Sequence, residues 1–283
     1  MTENPAVQFL GSELKNSENH EEAARFQVIP CPMEKTVSYG GGTAEGPRSL
    51  LLASQELERS SICEQGIFTH QAIDCSVAHS DCLSKLQGTT QQIISKRKLP
   101  VILGGEHSLT WATVRGISKQ LQQKVGVIQF DAHADLRQSY AGDEHSHASV
   151  MNLLVQEGHK LASLGVRAMC EEERIFRQEN GVFYVDGEAL VRGRVSSVVL
   201  PEDFPELVYL TFDLDALDPS IMPGVGTPVP GGLGYYQAID LVESALVGKR
   251  CVGIDMVELA PGKEEIVSSF TAASLLQRIL ALV

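Results

Sequence analysis

Asp131, His133 and Asp135 stand at every second position in "FDAHADLR" (130–137), directly after the apolar run "VGVIQF". The same device recurs in "FDLDALDPS", where Asp213 and Asp215 lie two apart behind another apolar run, "LVYLT". A third apolar run, "VILGG", leads into "EHS" and delivers His107 after a Gly-Gly turn. On a strand, alternate side chains share a face. If extended geometry continues past Phe130, the first three groups therefore point the same way. Three segment ends then offer four carboxylates and two imidazoles. Four carboxylates in one dry cleft repel one another by several kcal/mol unless cations balance them. Two divalent ions carry the matching charge, and held about 3.5–4 Å apart they share a water and lower its pKa towards neutrality. The oxygen-rich donor set without thiolates favours Mn²⁺, while Co²⁺, Ni²⁺ or Zn²⁺ accept the same ligands. A single Asp-x-His is more often a turn or a helix cap. Three such motifs at three strand ends are harder to explain that way.

The elements that must position these groups follow a regular rhythm. Apolar, β-rich runs at 25–30, 99–105, 124–131, 161–167, 181–186, 207–213 and 250–256 read as strands. Several are near-continuous Val/Ile/Leu runs, as strands covered on both faces require. Longer helical patterns lie between them at 46–59, 107–123 and 235–248, and a last one closes the chain from Ser269. This βαβ alternation predicts a single-domain, three-layer α/β/α fold around a mostly parallel sheet. Ligands of such sheets collect beyond the carboxyl ends of the strands. The domain is expected over 25–283, after a polar N-terminal segment (1–24) whose residues 11–24 read as a mobile tail or edge.

The bulk properties limit the partners. The chain has 283 residues, 43% of them hydrophobic, and a formal charge of −13 from 36 acids against 23 bases. That balance argues against a nucleic-acid or anionic-membrane surface and suits small cations. No stretch approaches the roughly 20 apolar residues of a membrane helix, and the N-terminus lacks the pattern of a signal peptide. Six scattered cysteines without C-x-x-C spacing read as reduced and buried. A cytoplasmic enzyme is the expectation.

The blocks "GGEHS", "FDAHAD", "SHASVM", "FDLDALDP", "PGVGTPVPGGL" and "DMVELAP" together resemble the signatures of the ureohydrolase family, which contains arginases and agmatinases. They run in the family's order over nearly the whole chain. The resemblance implies a parallel eight-stranded sheet flanked by helices, and two Mn²⁺ per subunit. It places one ion on His107, Asp131, Asp135 and Asp213, and the other on Asp131, His133, Asp213 and Asp215. Asp131 and Asp213 then bridge. Homotrimers or homohexamers are also implied.

Family members hydrolyse a guanidinium group to urea and an amine, so the expected partner is a small cationic guanidino compound. Glu258 of "DMVELAP" matches the position that grips the guanidinium, where a carboxylate accepts two parallel N–H bonds. Asp135 is implied as the group that passes a proton to the leaving amine. His147 of "SHAS" matches a shuttle histidine, whose pKa near working pH suits the task. His145 lies outside that block, as do His20, His70, His79 and His159, which read as surface or packing residues.

The loop "LRQSYAGDEHS" (136–146) resembles the agmatinase form and lacks the arginase Ser-Gly-Asn-type segment. Agmatine, hydrolysed to urea and putrescine in polyamine biosynthesis, is therefore the expected substrate. Asp143 and Glu144 are then candidates to meet its ammonium. Asn152 stands where agmatinases often carry arginine, which keeps N1-aminopropylagmatine, guanidinobutyrate and arginine open. Two other readings fit less well. A zinc deacetylase of similar architecture would need a His-His pair, which is absent. A catalytically silent regulatory homologue would be marked by a lost ligand or a lost Glu258, and neither is lost.

Overall fold

The computed structural model of the chain describes residues 7–262 and 266–283. Eight strands form one sheet: β1 (Phe26–Cys31), β2 (Ile67–Thr69), β3 (Leu99–Gly104), β4 (Gly126–Phe130), β5 (Leu161–Leu164), β6 (Phe183–Val185), β7 (Leu207–Asp213) and β8 (Arg250–Val257). Their order is β2-β1-β3-β8-β7-β4-β5-β6, and every pairing is parallel. The helices are α1 (Gly46–Ala53), α2 (His79–Ser95), α3 (Leu109–Leu121), α4 (Val150–Gln156), α5 (Glu171–Glu179), α6 (Gly187–Val191), α7 (Tyr235–Ala245) and α8 (Val267–Leu280).

Parallel strands need helical crossovers, and the crossovers cover both faces of the sheet. On one face Val28, Val101, Ile128, Leu210 and Ile254 pack with α1, α7 and α8. On the other, Val127, Leu161 and Tyr209 pack with α3 and α4, and Ile29 and Ile102 with α2 and α3. Alternate residues of one strand thus feed two cores, which is why the central strands are wholly buried. The helices show the matching period: α7 buries Ala238, Ile239, Leu241, Val242 and Ala245, an apolar stripe one turn apart. Each large side chain removed from water contributes about 1.5–3 kcal/mol. Ile279→Ala in α8, fully buried, is a change costing about 2–5 kcal/mol.

The seven strands read from the sequence are all present. β2 was too short to show a pattern, and α2 hides its stripe (Cys82, Leu83, Leu86, Thr90, Ile93 and Ile94) among polar residues. The helix expected over 46–59 stops at Ala53. There the Ser54 hydroxyl and the Gln55 amide donate to the Leu51 carbonyl, a local competition that ends helices. The N-terminal segment also differs from a tail. Phe9 and Leu10 are fully buried, and Glu18 takes two hydrogen bonds from Arg59. Several of its residues contact the domain, which composition alone does not reveal. No helix among the described residues is long and apolar enough to cross a membrane.

Candidate metal centre

The six expected ligands lie at or just beyond the carboxyl ends of β3, β4 and β7, and Glu258 follows β8. These four strands are the centre of the sheet. Convergence is achieved by turns more than by strand alternation. Strand β4 ends at Phe130, and the Asp131 carboxylate accepts the His133 N–H at 2.6 Å. In the same way the Asp213 carboxylate accepts the Asp215 N–H at 2.9 Å. An Asp that bonds the amide two residues on makes its own turn, so both Asp-x-His and Asp-x-Asp bend the chain as they present it. The extended geometry expected through Asp135 does not continue. Asp135 has φ 52°, in the left-handed region, and its carbonyl accepts the N–H groups of Met151 and Asn152 at the start of α4.

His107 arrives over Gly105, where a Cβ would meet the Met33 carbonyl oxygen at 1.9 Å; only glycine allows that approach. His107 Nδ1 then lies 3.1 Å from Asp135, 3.2 Å from Asp131 and 3.3 Å from Asp213. It has no hydrogen-bond partner, whereas Nε2 meets the Thr211 hydroxyl at 2.7 Å. A second group forms where His133 Nδ1 sits 2.8 Å from Asp215 and 3.7 Å from Asp131. Asp131 belongs to both groups. Separations near 3 Å are the edges of a polyhedron whose metal–ligand bonds are about 2.1 Å. An imidazole nitrogen facing three carboxylates, with its other nitrogen engaged, is therefore suited to a cation. These residues fit a pair of metal ions.

Protonation tells the same story. Burial disfavours a charged His133, yet Asp131 and Asp215 outweigh it and push the imidazole up to about 12. His107 is likewise raised against burial by its three carboxylates. Burial and the nearby Asp131 push Asp135 up to about 7, and burial with Asp215 and Asp131 raises Asp213. Protons gather where the positive charge of metal ions would otherwise stand.

A cleft of about 370 Å³ opens over this centre. Its lining includes His133, Asp135, Asp213, Asp215, His147 and Glu258. Glu258 has φ 65°, an uncommon conformation for a non-glycine residue. Burial pushes its carboxyl up to about 8 even though the His107 N–H bonds it. His147 approaches Thr36 through both its backbone N–H and ring Nδ1, at 3.0 and 3.2 Å. The Thr36 hydroxyl donates its one proton to Glu106, so Nδ1 carries the ring hydrogen and Nε2 has the lone pair. Burial lowers the pKa of His147.

Asp143 and Glu144 do not line the cleft. The Asp143 carboxylate accepts the His145 N–H and lies on a separate cavity of about 420 Å³ beside His79 and Trp111. Glu144 is exposed. The turn at Tyr140–Asp143, closed by two backbone hydrogen bonds, carries them away from the metals. A further acid that lines the cleft is Glu173, buried and bonded by the N–H groups of Leu136 and Cys170. Asn152 also faces elsewhere. Its amide donates to the Leu136 carbonyl and accepts from Gln156, so this departure from the agmatinase pattern supports the loop from behind.

A row of polar side chains under the metals was not anticipated. Ser163, Gln129, Thr211 and Asp255 are register partners across β5, β4, β7 and β8. Gln129 donates to Asp131 at 2.8 Å and accepts from Ser163. Asp255 accepts from Thr110 and Tyr209. Arg167 braces the other side, donating to the carbonyls of Asp215 and Val229 at 2.7 Å. A signal existed: Gln129 and Thr211 are each the polar residue two before a metal-facing aspartate, inside an apolar run.

Residues 24–281 match the family model described as the arginase family. The chain belongs to the arginase family. An N(1)-aminopropylagmatine ureohydrolase of Synechocystis sp. is 33% identical over 96% of this chain and 92% of its own length. An agmatinase of Pyrococcus horikoshii is 33% identical over 92% of both chains. The solved agmatine ureohydrolase of Thermoplasma volcanium superposes with a TM-score of 0.78, at 27% identity, over 96% of this chain and 94% of its own. The eight-stranded parallel sheet is that of the arginase family, and this chain is a ureohydrolase.

Proposed function

We propose that the protein hydrolyses the guanidinium group of N1-aminopropylagmatine to urea and a polyamine, using two Mn²⁺ ions. The observation that carries this reading is the placement of the Glu258 carboxylate in the same cleft as His133, Asp135, Asp213 and Asp215. A guanidinium is planar, cationic and resonance-stabilised, so orientation supplies much of the rate. Two divalent ions held by His107, Asp131, His133, Asp135, Asp213 and Asp215 would supply a strong nucleophile at neutral pH by acidifying bound water. The chain's own groups do the rest. Glu258 is ionised by the arriving cation and accepts paired N–H bonds. Asp135 takes up a proton and returns it to the leaving amine. His147, with its Nδ1 hydrogen held by Thr36, exchanges protons through Nε2.

The substrate's alkyl chain meets Met169 and Cys170, and its far ammonium meets Glu173. Arg137 lies 4.0 Å from the same carboxylate and must share it. The relatives named for N1-aminopropylagmatine at 33–34% identity support the longer substrate. Agmatine is the second reading, supported by the Pyrococcus horikoshii relative. Urea release from N1-aminopropylagmatine, agmatine and arginine, measured in parallel after Mn²⁺ loading, tests both. The expected order of kcat/KM is N1-aminopropylagmatine, then agmatine, then arginine. Faster turnover of arginine would overturn the substrate class and leave the guanidinium chemistry intact.

A further inference from the structure

Three cysteines from three separate elements converge at the carboxyl end of β1. Cys31 closes β1, Cys75 lies in the loop after β2, and Cys82 is in the first turn of α2. Cys31 Sγ is 3.9 Å from Cys75 Sγ, which is 3.0 Å from Cys82 Sγ. All three sulfurs lie within 4.8 Å of one another. No other cysteine joins such a group among the described residues. Cys31 and Cys82 are fully buried among Ile29, Met33, Leu83 and Leu86, and Cys75 is half-buried.

This donor set is the chemical opposite of the carboxylate–imidazole centre. Sulfur ligands select soft ions such as Cu⁺ and Zn²⁺, whereas oxygen ligands select hard ones. The geometry is near what a metal needs. With metal–sulfur bonds of about 2.3 Å, tetrahedral sulfur–sulfur edges are about 3.8 Å. The Cys31–Cys75 edge already has that length, and the Cys75–Cys82 edge needs only a modest opening, on a loop at the surface. The S–H groups of Cys31 and Cys75 hold the Cys82 thiol well below the usual range, against burial. A thiolate in an apolar shell favours a cation beside it, and His79 and Lys35 nearby lower the thiol in the same direction.

We propose that Cys31, Cys75 and Cys82 form a second metal site, separate from the catalytic centre, that takes one thiophilic ion of the Cu⁺ class. The site does not depend on which guanidine is hydrolysed. Three sulfurs, in place of two, favour a metal over a simple disulfide.

The test uses the full, Mn²⁺-loaded protein, reduced with a phosphine and handled without oxygen. Cu⁺ is titrated in competition with a chromophoric chelator. One equivalent is expected to be retained, with only sulfur neighbours in its X-ray absorption spectrum. Cys75→Ser and Cys82→Ser should each lose that retention, while the double variant Cys170→Ser, Cys251→Ser should keep it. Cys75 is half-buried, so its variant tests the site even if Cys82→Ser does not fold. Wild-type protein that retains no Cu⁺ overturns the proposal, whether its thiols stay free or pair as a Cys75–Cys82 disulfide. Retention that survives Cys75→Ser overturns it as well.

Discussion

Glu258 Oε1 accepts the backbone N–H of His107 at 2.7 Å, although 151 residues separate them. The carboxylate assigned to the guanidinium therefore also clamps the loop that delivers a metal ligand. Glu258→Gln keeps a carbonyl oxygen for that N–H and removes the charge. The expected result is a fall in kcat/KM of roughly 10²-fold or more, with unchanged Mn²⁺ content. Steady-state kinetics with metal analysis of the same sample decides it. Unchanged kcat/KM would falsify the guanidinium role.

Thr211 fixes His107 through Nε2 at 2.7 Å. Thr211→Val preserves shape and removes the hydroxyl, freeing the ring to rotate. Loss of such an outer partner typically weakens metal binding about 10–100-fold. Activity should therefore need more added Mn²⁺ and return near saturation. Full activity at wild-type Mn²⁺ levels would remove Thr211 from the account.

Metal binding should tighten as pH rises. The ion-free cluster holds protons on Asp135, at about 7, and on His133, at about 12, and ligands must shed them to bind. Below pH 7 the Asp135 proton competes with the ion, and above pH 7 the His133 proton still does. Calorimetry of Mn²⁺ binding at pH 6, 7 and 8, in buffers of different ionisation enthalpy, should show net proton release at each pH. Binding that is pH-independent and releases no protons would contradict the protonated cluster. Chelation should also lower Tm, because ions bound only by the folded state stabilise it.

His159 provides a pH effect away from the metals. Burial lowers its pKa from 6.5, against a hydrogen bond to the Val125 carbonyl, and its Nε2 is buried without a partner. The folded state thus prefers the neutral ring while the unfolded chain protonates near 6.5. Its stability contribution is intact above pH 6.5 and is lost as pH falls towards the folded-state value. His159→Gln should flatten the decline of unfolding free energy below pH 6.5, measured by urea titration with the metal centre kept loaded. An equally steep decline in the variant would assign the effect to other groups.

Much of the candidate site was legible because its geometry is local. Asp131 with His133, and Asp213 with Asp215, make their own turns within three residues, so spacing alone exposed them. Strands 99–105, 124–131 and 207–213 could be read because burial on both faces forces continuous apolar runs. The backbone at Asp135 was not legible, since its left-handed turn answers to α4, which its carbonyl meets. Nor could Asp143 and Glu144 be placed, because a turn at Tyr140 sends Asp143 to another cavity and Glu144 to solvent.

Strand order was the larger unknown. β8 inserts between β3 and β7, and only that order sets Asp255 beside Thr211 and Thr211 beside Gln129. The same long-range folding brings Cys31 within reach of Cys75 and Cys82. By itself the sequence determined the candidate ligands, the parallel α/β architecture and the family of chemistry. The tertiary structure alone decided which polar groups support the metals and which thiols meet. Turns depend on neighbours a few residues away, whereas register across a parallel sheet is set by crossovers tens of residues long.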